Sequence, residues 1–264
     1  MLFVPNISLL WADLPLADRF ERAARAGFSA VELWWPGTEA AQTLPDLAAR
    51  WGLRVALLNF DAGDMRAGDR GLAADPRRRE ELRANVPVAL EIARACGCQR
   101  LNLLAGLYQD RYPPQEQLAC ARDNVAWAAD QAAAAGCEVM IEAVNSAENG
   151  PCLLTTTAAA AAFIAAVDRP NVRLQYDAYH MQRMEGNLTL TLDAYWPLIG
   201  HIQIADVPGR QEPGTGEINY RFVLDHIAGK GYTGAIGLEY RASTRRPEDS
   251  FSWLTEYQAA QRRA

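Results

Sequence analysis

The feature that most constrains the fold of this 264-residue chain is a unit that recurs along its whole length. Each unit has an alanine-rich helical pattern, a glycine, a short run rich in leucine or β-branched residues, and then polar loop residues. This order is typical of alternating helices and strands. Glycine adopts the left-handed conformation that ends a helix at little cost. We therefore predict that helices end, and strands follow, at Gly27, Gly52, Gly97, Gly136, Gly200 and Gly231.

The repeat predicts an α/β fold, a (β/α)8 TIM barrel that forms one domain over residues 1–264. Runs such as Val139-Met140-Ile141 are continuously apolar, as expected of a parallel sheet covered on both faces. An open sheet of six strands is the alternative, but no Gly-x-Gly-x-x-Gly turn follows the first strand. Strands are predicted near 2–8, 28–34, 53–59, 100–106, 138–144, 172–178, 201–206 and 235–240, and helices near 14–26, 38–51, 78–96, 115–135, 156–168, 189–198, 219–230 and 247–262.

Composition limits the classes of partner. Lys and Arg number 26 against 32 Asp and Glu, a net charge of −6, so we expect no nucleic-acid partner. No apolar run reaches the roughly 18 residues of a membrane helix, and the N-terminus shows no export signal. The five cysteines are odd in number and irregularly spaced, which is typical of reduced thiols in a cytoplasmic protein. A homo-oligomer is compatible with the sequence.

Two long connections, near 60–77 and 207–218, are rich in Gly, Pro and charged residues. Active-site lids are commonly built from such loops, so we expect these two to border the site. Trp34 and Trp35 stand beside Pro36 after the second predicted strand. We interpret them as a pocket wall, with a subunit contact as the alternative.

Polar side chains stand at the carboxyl ends of most predicted strands. In a barrel these ends converge on one mouth, where the active site lies. A single Glu at such a position is more often a salt-bridge partner or a helix cap than a functional group, but several together are a stronger signal. The strand ends carry Glu32, Asn59, Glu142, Asp177, Gln203 and Glu239, with Asn145, His180 and Asp206 just beyond them.

The polar strand ends together suggest a metal site. Carboxylates that share a water-poor mouth repel each other and lose hydration unless a cation compensates. Oxygen donors with one amide and no cysteine suit Mg²⁺ or Mn²⁺ better than Zn²⁺. Of the three histidines, His201 falls at a strand start and His226 within a helix, away from the mouth.

Motifs around these residues extend over nearly the whole chain. They include Asn6-x-Ser8, Asn59-x-x-Ala62-Gly63-Asp64, Ile141-Glu142-x-x-Asn145, Gln175-Tyr176-Asp177-x-Tyr179-His180-Met181, Gly200-His201-Ile202-Gln203-Ile204-Ala205-Asp206, Arg210-x-Glu212-Pro213-Gly214 and Gly237-x-Glu239-Tyr240. In these motifs the chain resembles the hydroxypyruvate isomerase family of the xylose isomerase-like superfamily. The ketose 3-epimerases are similar but carry His where this chain has Gln203. Phe60, Asp61 and Ala143 depart from the expected pattern at the pocket rim.

The resemblance implies a metal site, a reaction and a set of roles. In this superfamily the metal is held at the ends of strands five to eight, and the matching positions predict Glu142, Asp177, Gln203 and Glu239 as the ligands. Hydroxypyruvate and tartronate semialdehyde would be interconverted at the metal by proton transfer through a cis-enediolate. Glu142 and Glu239 would be the acid–base pair as well as metal ligands. Arg70 is a candidate to clamp the substrate carboxylate, and His180 to donate to a substrate oxygen. Further candidate substrate contacts are Asn59, Asn145, Glu148, Asp206 and Arg210.

Three alternatives stay open at this point. A 2-oxo-tetronate isomerase or a ketose 3-epimerase would use the same metal and the same two glutamates. A degenerate sugar-acid binding protein would bind without turnover, but it would be expected to have lost a ligand or a base, and none is missing. A metal-dependent DNA-repair nuclease is disfavoured by the three histidines and the charge of −6.

Overall fold

The computed structural model of the protein describes residues 1–263, so Ala264, the last residue of the predicted domain, lies outside the described residues. The strands are β1 (Leu2–Pro5), β2 (Ala30–Leu33), β3 (Arg54–Asn59), β4 (Arg100–Asn102), β5 (Glu138–Glu142), β6 (Val172–Asp177), β7 (Ile199–Ile204) and β8 (Ala235–Leu238). They form one sheet in the order β1-β8-β7-β6-β5-β4-β3-β2, and every named pairing is parallel. A bridge between Asn6 and Glu32 joins β1 to β2. The predicted TIM barrel is confirmed.

Helices alternate with the strands. Three predicted helices are not continuous α-helices. The predicted helix 38–51 is interrupted at residues 42–43, and 3₁₀ turns occupy Trp196–Leu198 and Pro247–Phe251 within the predicted helices 189–198 and 247–262. Among residues 1–263 the α-helices are α1 (Leu16–Arg25), α2 (Thr38–Ala41), α3 (Leu44–Trp51), α4 (Arg79–Ala95), α5 (Pro114–Ala134), α6 (Ser146–Asn149), α7 (Thr157–Val167), α8 (Ala178–Met184), α9 (Leu188–Tyr195), α10 (Tyr220–Gly229) and α11 (Ser252–Gln261).

Two short helices, α6 and α8, were not predicted, and both follow strands that carry site residues. Helix α8 begins directly after β6, and the Asp177 carboxylate accepts hydrogen bonds from the N–H groups of Tyr179 at 2.7 Å and His180 at 3.4 Å. Helix α6 begins after Asn145, whose side-chain oxygen accepts the Glu148 N–H at 3.0 Å. Asp and Asn are favoured at this position because they satisfy N–H groups that lack a partner within the helix.

Five of the six glycines predicted to end helices have positive φ, between 64° and 87°, as expected. Gly200 does not, and this prediction was wrong: it lies inside β7. A Cβ atom at position 200 would lie 2.7 Å from the Met140 sulfur and 2.8 Å from the Cβ of Arg173. Glycine is needed there for the close approach of neighbouring strands rather than for a turn.

The core supports the barrel assignment. Every residue of β2 and of β8 is buried, as expected where helices cover the sheet. All five cysteines are free, so no disulfide constrains the fold. Within residues 1–263, no helix combines the length and the hydrophobicity that crossing a bilayer requires.

Candidate active site

The four predicted metal ligands lie at the carboxyl ends of neighbouring strands. Glu142 ends β5, Asp177 ends β6, Gln203 lies one residue before the end of β7, and Glu239 directly follows β8. The strand register brings them to a similar level, because Asp177 pairs with Gln203 and Gln203 pairs with Gly237. All four are buried, with 1% to 6% of their surface exposed. The structure therefore brings these oxygen donors together at one end of the barrel.

A cavity of about 420 Å³ opens at this end. Both proposed acid–base residues and four predicted substrate contacts line it, so these groups share one space that a small molecule could enter. Trp34, Arg66 and Arg241 also line it, although none of them was predicted as a substrate contact. The predicted residues in the lining are Glu142, Glu239, Arg70, Glu148, His180 and Arg210.

The tightest group of potential metal ligands is Glu142, Asp177 and His180, whose ligand atoms all lie within 4.8 Å of one another. The His180 Nε2 atom is 3.7 Å from Glu142 Oε1 and 3.5 Å from Asp177 Oδ2. Although it is buried, Asp177 Oδ2 has no hydrogen-bond partner. A buried carboxylate oxygen without a donor is costly, so this atom is suited to face a cation.

The orientation of His180 favours a donor role over a ligand role. Because Asn145 uses its side-chain oxygen to cap α6, its amide nitrogen faces His180 Nδ1, at 2.7 Å. Nδ1 must then accept, which places the ring proton on Nε2, the atom that faces the carboxylates. Burial lowers the pKa of His180 to about 4, so the ring is neutral near pH 7. The geometry thus fits the predicted donation to a substrate oxygen.

Arg210 supplies a positive charge among these carboxylates. Its NH2 group donates to Glu239 Oε2 at 3.0 Å and lies 3.8 Å from Asp177 Oδ2. Its guanidinium also lies over the Tyr179 ring, 5.2 Å from the ring centre. Burial opposes the charged form, but the attraction of Glu239 and Asp177 outweighs burial and raises the pKa of Arg210. Arg210 therefore stays charged and partly compensates the negative charge of the carboxylates at the mouth.

Both proposed acid–base residues are poised to hold a proton. Burial, followed by repulsion from Glu239 and Asp177, raises the pKa of Glu142 well above its ordinary value. Burial raises the pKa of Glu239 to about 8, and repulsion from Asp177 adds to this effect while Arg210 opposes it. A carboxyl group whose pKa lies near the working pH can both take up and release a proton, as general acid–base chemistry requires.

The donor set fits a hard divalent cation. Asp177 offers an oxygen without a partner, and Glu142 and Glu239 are carboxylates whose raised pKa a bound cation would lower. Gln203 differs from these three residues, because its Oε1 already accepts a hydrogen bond from Gln175 Nε2 at 2.7 Å. As a ligand, Gln203 would therefore share its oxygen with Gln175 or exchange that contact for the metal.

Arg70 and Glu148 line the cavity, but each already has protein partners. The Arg70 Nε donates to Asn149 Oδ1 at 2.7 Å, and its NH1 donates to the carbonyl oxygens of Met65 and Asp69. Glu148 accepts from Tyr179 OH at 2.7 Å and from the Arg183 guanidinium at 2.9 Å. These hydrogen bonds hold both side chains in fixed positions in the cavity wall. They also leave Arg70 with fewer free N–H donors for an anion.

Three predicted substrate contacts lie behind the cavity surface. Within residues 1–263, Asn59, Asn145 and Asp206 do not line it. The Asp206 carboxylate instead accepts four backbone N–H bonds of 2.9 to 3.0 Å, from residues 207, 214, 216 and 218. Its role is to shape the loop that carries Arg210. Asn145 acts through His180, and Asn59 ends β3 beside Asn102.

Several contacts of the proposed acid–base pair, including those of Trp34 and Asn102, were missed by the sequence reasoning. Trp34 was interpreted only as a pocket wall, but its Nε1 also donates to Glu239 Oε1 at 2.6 Å. Asn102 donates to Glu142 Oε2 at 2.8 Å. A polar residue in the apolar run Leu101-Asn102-Leu103 was the available signal for Asn102. His201, interpreted as a core histidine, is fully buried and contacts Glu32.

Comparison with known proteins shows the family to which the chain belongs. A family model described as "Xylose isomerase-like TIM barrel" matches residues 20–257. Hydroxypyruvate isomerase from Escherichia coli is 38% identical over 255 residues, which cover 97% of this chain and 98% of that protein. A 2-oxo-tetronate isomerase from Haemophilus influenzae is 35% identical over 239 residues, covering 90% of this chain and 93% of that protein.

A solved structure also aligns closely. The structure titled AP endonuclease, family 2, from Brucella melitensis has a TM-score of 0.92 and 33% identity, and the match covers 97% of this chain and 98% of that chain. Solved ketose 3-epimerases, such as one titled L-ribulose 3-epimerase at 20% identity, share the fold. The curated relatives confirm the expectation of an isomerase. The chain therefore belongs to the xylose isomerase-like TIM barrel family, and within it to the hydroxypyruvate isomerase group.

Proposed function

We propose that this protein is a metal-dependent isomerase that interconverts hydroxypyruvate and tartronate semialdehyde. The observation that carries the proposal is the placement of Glu142 and Glu239, two buried carboxyl groups that come from β5 and β8 and line one small cavity. The relative from Escherichia coli that is named hydroxypyruvate isomerase supports the choice of substrate. We assign no role to a nucleic acid or a membrane.

The metal would be Mg²⁺ or Mn²⁺, held by Glu142, Asp177, Gln203 and Glu239. When bound, it supplies electrostatic stabilisation for negative charge that develops on the substrate oxygens. Its binding also relieves the repulsion between the carboxylates. Arg210, which contacts Glu239 and Asp177 here, would then be free to turn towards the substrate.

The two glutamates divide the proton transfer. One removes a proton from C3 of hydroxypyruvate, and the other delivers a proton to C2, through a cis-enediolate; the reverse reaction exchanges their roles. Glu142 Oε2 accepts from Asn102 and Gln175, while its Oε1 lies on the side of His180. The donors on Oε2 fix the carboxyl plane, which aims Oε1 into the mouth. His180, through its Nε2–H, donates to a substrate oxygen.

The substrate carboxylate would bind at the cavity rim. Arg66 and Arg241 line the cavity, are exposed, and form no side-chain ion pair or hydrogen bond within the part of the chain that the structure describes. Arg70 lies beside them but is held by three hydrogen bonds. We therefore assign the carboxylate chiefly to Arg66 and Arg241, with Arg70 as a neighbouring charge.

A direct assay tests this function. Metal-free protein is supplied with Mn²⁺ and offered hydroxypyruvate, a 2-oxo-tetronate or a free ketose, and each product is followed by NMR. We expect turnover of hydroxypyruvate and none without metal. Faster turnover of the 2-oxo-tetronate would favour the second candidate, which the Haemophilus influenzae relative supports. Binding without turnover of any of the three would reject the isomerase and favour a binding protein.

A further inference from the structure

Glu32 is a fully buried carboxylate below the mouth, and the function proposed above gives it no role. It lies in β2, and its carboxyl group reaches over Gly237 of β8. A Cβ atom at position 237 would lie 2.3 and 2.4 Å from the two Glu32 oxygens, so only glycine leaves room for the carboxylate. A buried carboxylate costs several kcal/mol unless donors surround it. Because Gly237 leaves room for the carboxylate of Glu32, we infer that this carboxylate is held in one defined position.

Three donors surround Glu32. Its Oε1 accepts from Asn6 Nδ2 at 3.1 Å and from Gln203 Nε2 at 2.7 Å. Its Oε2 lies 2.8 Å from His201 Nε2. The other ring nitrogen of His201, Nδ1, is buried and has no partner, so Nε2 is the ring nitrogen that donates to Glu32. A carboxylate can only accept, and therefore each of these donors is held in one orientation.

The first donor connects Glu32 to Glu239. The Asn6 Nδ2 group donates to Glu32 Oε1 and also to Glu239 Oε1, at 3.2 Å. The side-chain oxygen of Asn6 accepts the Ser8 N–H at 3.0 Å, which fixes the direction of the amide. The two carboxylates therefore share one amide group, and the position of Glu239 depends on that of Glu32.

The second donor connects Glu32 to Gln203 and Glu142. Because Gln203 turns its NH2 group to Glu32, its oxygen faces Gln175 Nε2, at 2.7 Å. That same Nε2 donates to Glu142 Oε2, at 3.0 Å. The amide of Gln203 presents an oxygen rather than a nitrogen to this side only as long as Glu32 accepts from it.

We propose that Glu32 is a positioning residue shared by both proposed catalytic glutamates: it fixes Glu239 through Asn6, and it turns the Gln203 oxygen towards the metal site. The inference rests on the proposed function and deepens it. It also explains why a charged residue lies beneath the mouth, where an apolar side chain would pack at lower cost. Such supporting contacts of a metal site are typically worth about 10- to 100-fold in metal affinity or activity.

The variant Glu32→Gln tests this role. A Gln at position 32 keeps the size of the side chain but cannot accept from Gln203, Asn6 and His201 together. We expect kcat for hydroxypyruvate to fall about 10- to 100-fold with little change in KM, and the Kd for Mn²⁺, measured by titration without substrate, to rise by a similar factor. The matched control is Asn124→Ala. Asn124 is a fully buried residue of α5 that donates to the Ala73 carbonyl oxygen, and neither residue lines the cavity.

The control separates positioning from stability. Both variants should lower Tm, but Asn124→Ala should keep the wild-type kcat and Mn²⁺ affinity. If Glu32→Gln does not fold, His201→Phe removes one donor to Glu32 without contacting Glu142 or Glu239. It should lower kcat and Mn²⁺ affinity, whereas His201→Gln, which keeps a donor, should restore both. Folded Glu32→Gln or His201→Phe protein with wild-type kcat and Mn²⁺ affinity would overturn the proposal.

The two readouts also distinguish this role from the substrate assignment. Wild-type protein that does not convert hydroxypyruvate, but whose Mn²⁺ affinity depends on Glu32, would reject the substrate and keep the positioning role. The opposite result is also distinguishable. If the wild-type protein converts hydroxypyruvate, and Glu32→Gln changes neither the Mn²⁺ affinity nor kcat, the substrate assignment is kept and the positioning role is rejected. Wild-type protein that binds no Mn²⁺ would reject the positioning role as stated here.

Discussion

At the scale of single residues, the site is defined by how each carboxylate is satisfied. Asp206 is saturated by backbone N–H groups and shapes a loop, whereas Asp177 keeps one buried oxygen without a partner. Sequence alone presents both as acidic residues at the end of a strand. Only the hydrogen bonds show which of them has an oxygen left for a ligand. For this reason the sequence located the candidate site but predicted Asp206 as a substrate contact, whereas its hydrogen bonds show that it holds a loop.

The two proposed acid–base residues are tested by isosteric substitution. Glu142→Gln and Glu239→Gln should each lower kcat by about 10² to 10⁴, because the amide cannot exchange a proton at neutral pH. Steady-state assays with saturating Mn²⁺ measure this effect. Glu185→Gln, at a carboxylate bound to Thr157 outside the cavity, serves as the control and should remain active. A folded, metal-loaded Glu239→Gln protein with wild-type kcat would exclude the two-base scheme.

The raised pKa of Glu239 predicts a pH dependence of stability in the metal-free protein. The ordinary pKa of this group is 4.5 and the folded value is about 8, so the folded protein keeps a proton that the unfolded chain has released. The free energy of unfolding should therefore decrease as the pH rises from about 5 to about 8. Urea denaturation in the presence of a chelator measures this decrease. The decrease should be smaller in Glu239→Gln, and equal slopes in the two proteins would contradict the assignment.

At the scale of elements, the periodic pattern predicted the eight strands, because long apolar runs and glycine-terminated helices leave a clear signal. The pattern missed α8, because Asp177 is both the last residue of β6 and the residue that caps α8, so no turn residue separates the strand from the helix. It also misassigned Gly200, which is required by the close approach of Met140 of β5 and Arg173 of the neighbouring β6. Local pattern does not report contacts between residues that are distant in sequence.

The predicted lid loop after β3 and the loop after β8 both border the site, and they provide a test of charge recognition. Arg66 lies in the loop after β3, and Arg241 lies in the loop after β8. Arg66→Gln and Arg241→Gln should each raise KM for hydroxypyruvate roughly 10-fold, about the contribution of one charge-assisted hydrogen bond, with a smaller effect on kcat. Arg245→Gln, at an exposed arginine nearby that does not line the cavity, is the matched control. Unchanged KM in both rim variants would move the carboxylate to Arg70 or Arg210.

At the scale of the whole molecule, metal binding should stabilise the fold, because the donors come from four different strands. At a Mn²⁺ concentration of 100 times Kd, the expected gain is about 2.7 kcal/mol. For a chain of this size, that gain corresponds to a rise in Tm on the order of 5 to 10 °C. Thermal unfolding with and without Mn²⁺ measures the shift. Asp177→Asn should lose most of it, and an equal shift in that variant would place the metal elsewhere.

The contact between β1 and β2, which closes the barrel, has a consequence for molecules that are damaged or newly made. β1 and β2 meet at Asn6 and Glu32, and these same two side chains reach Glu239 and Gln203. A barrel that has not closed between β1 and β2 lacks the hydrogen bonds that hold Glu239 and Gln203 in position. We therefore expect a molecule in which this contact has not formed to lack isomerase activity.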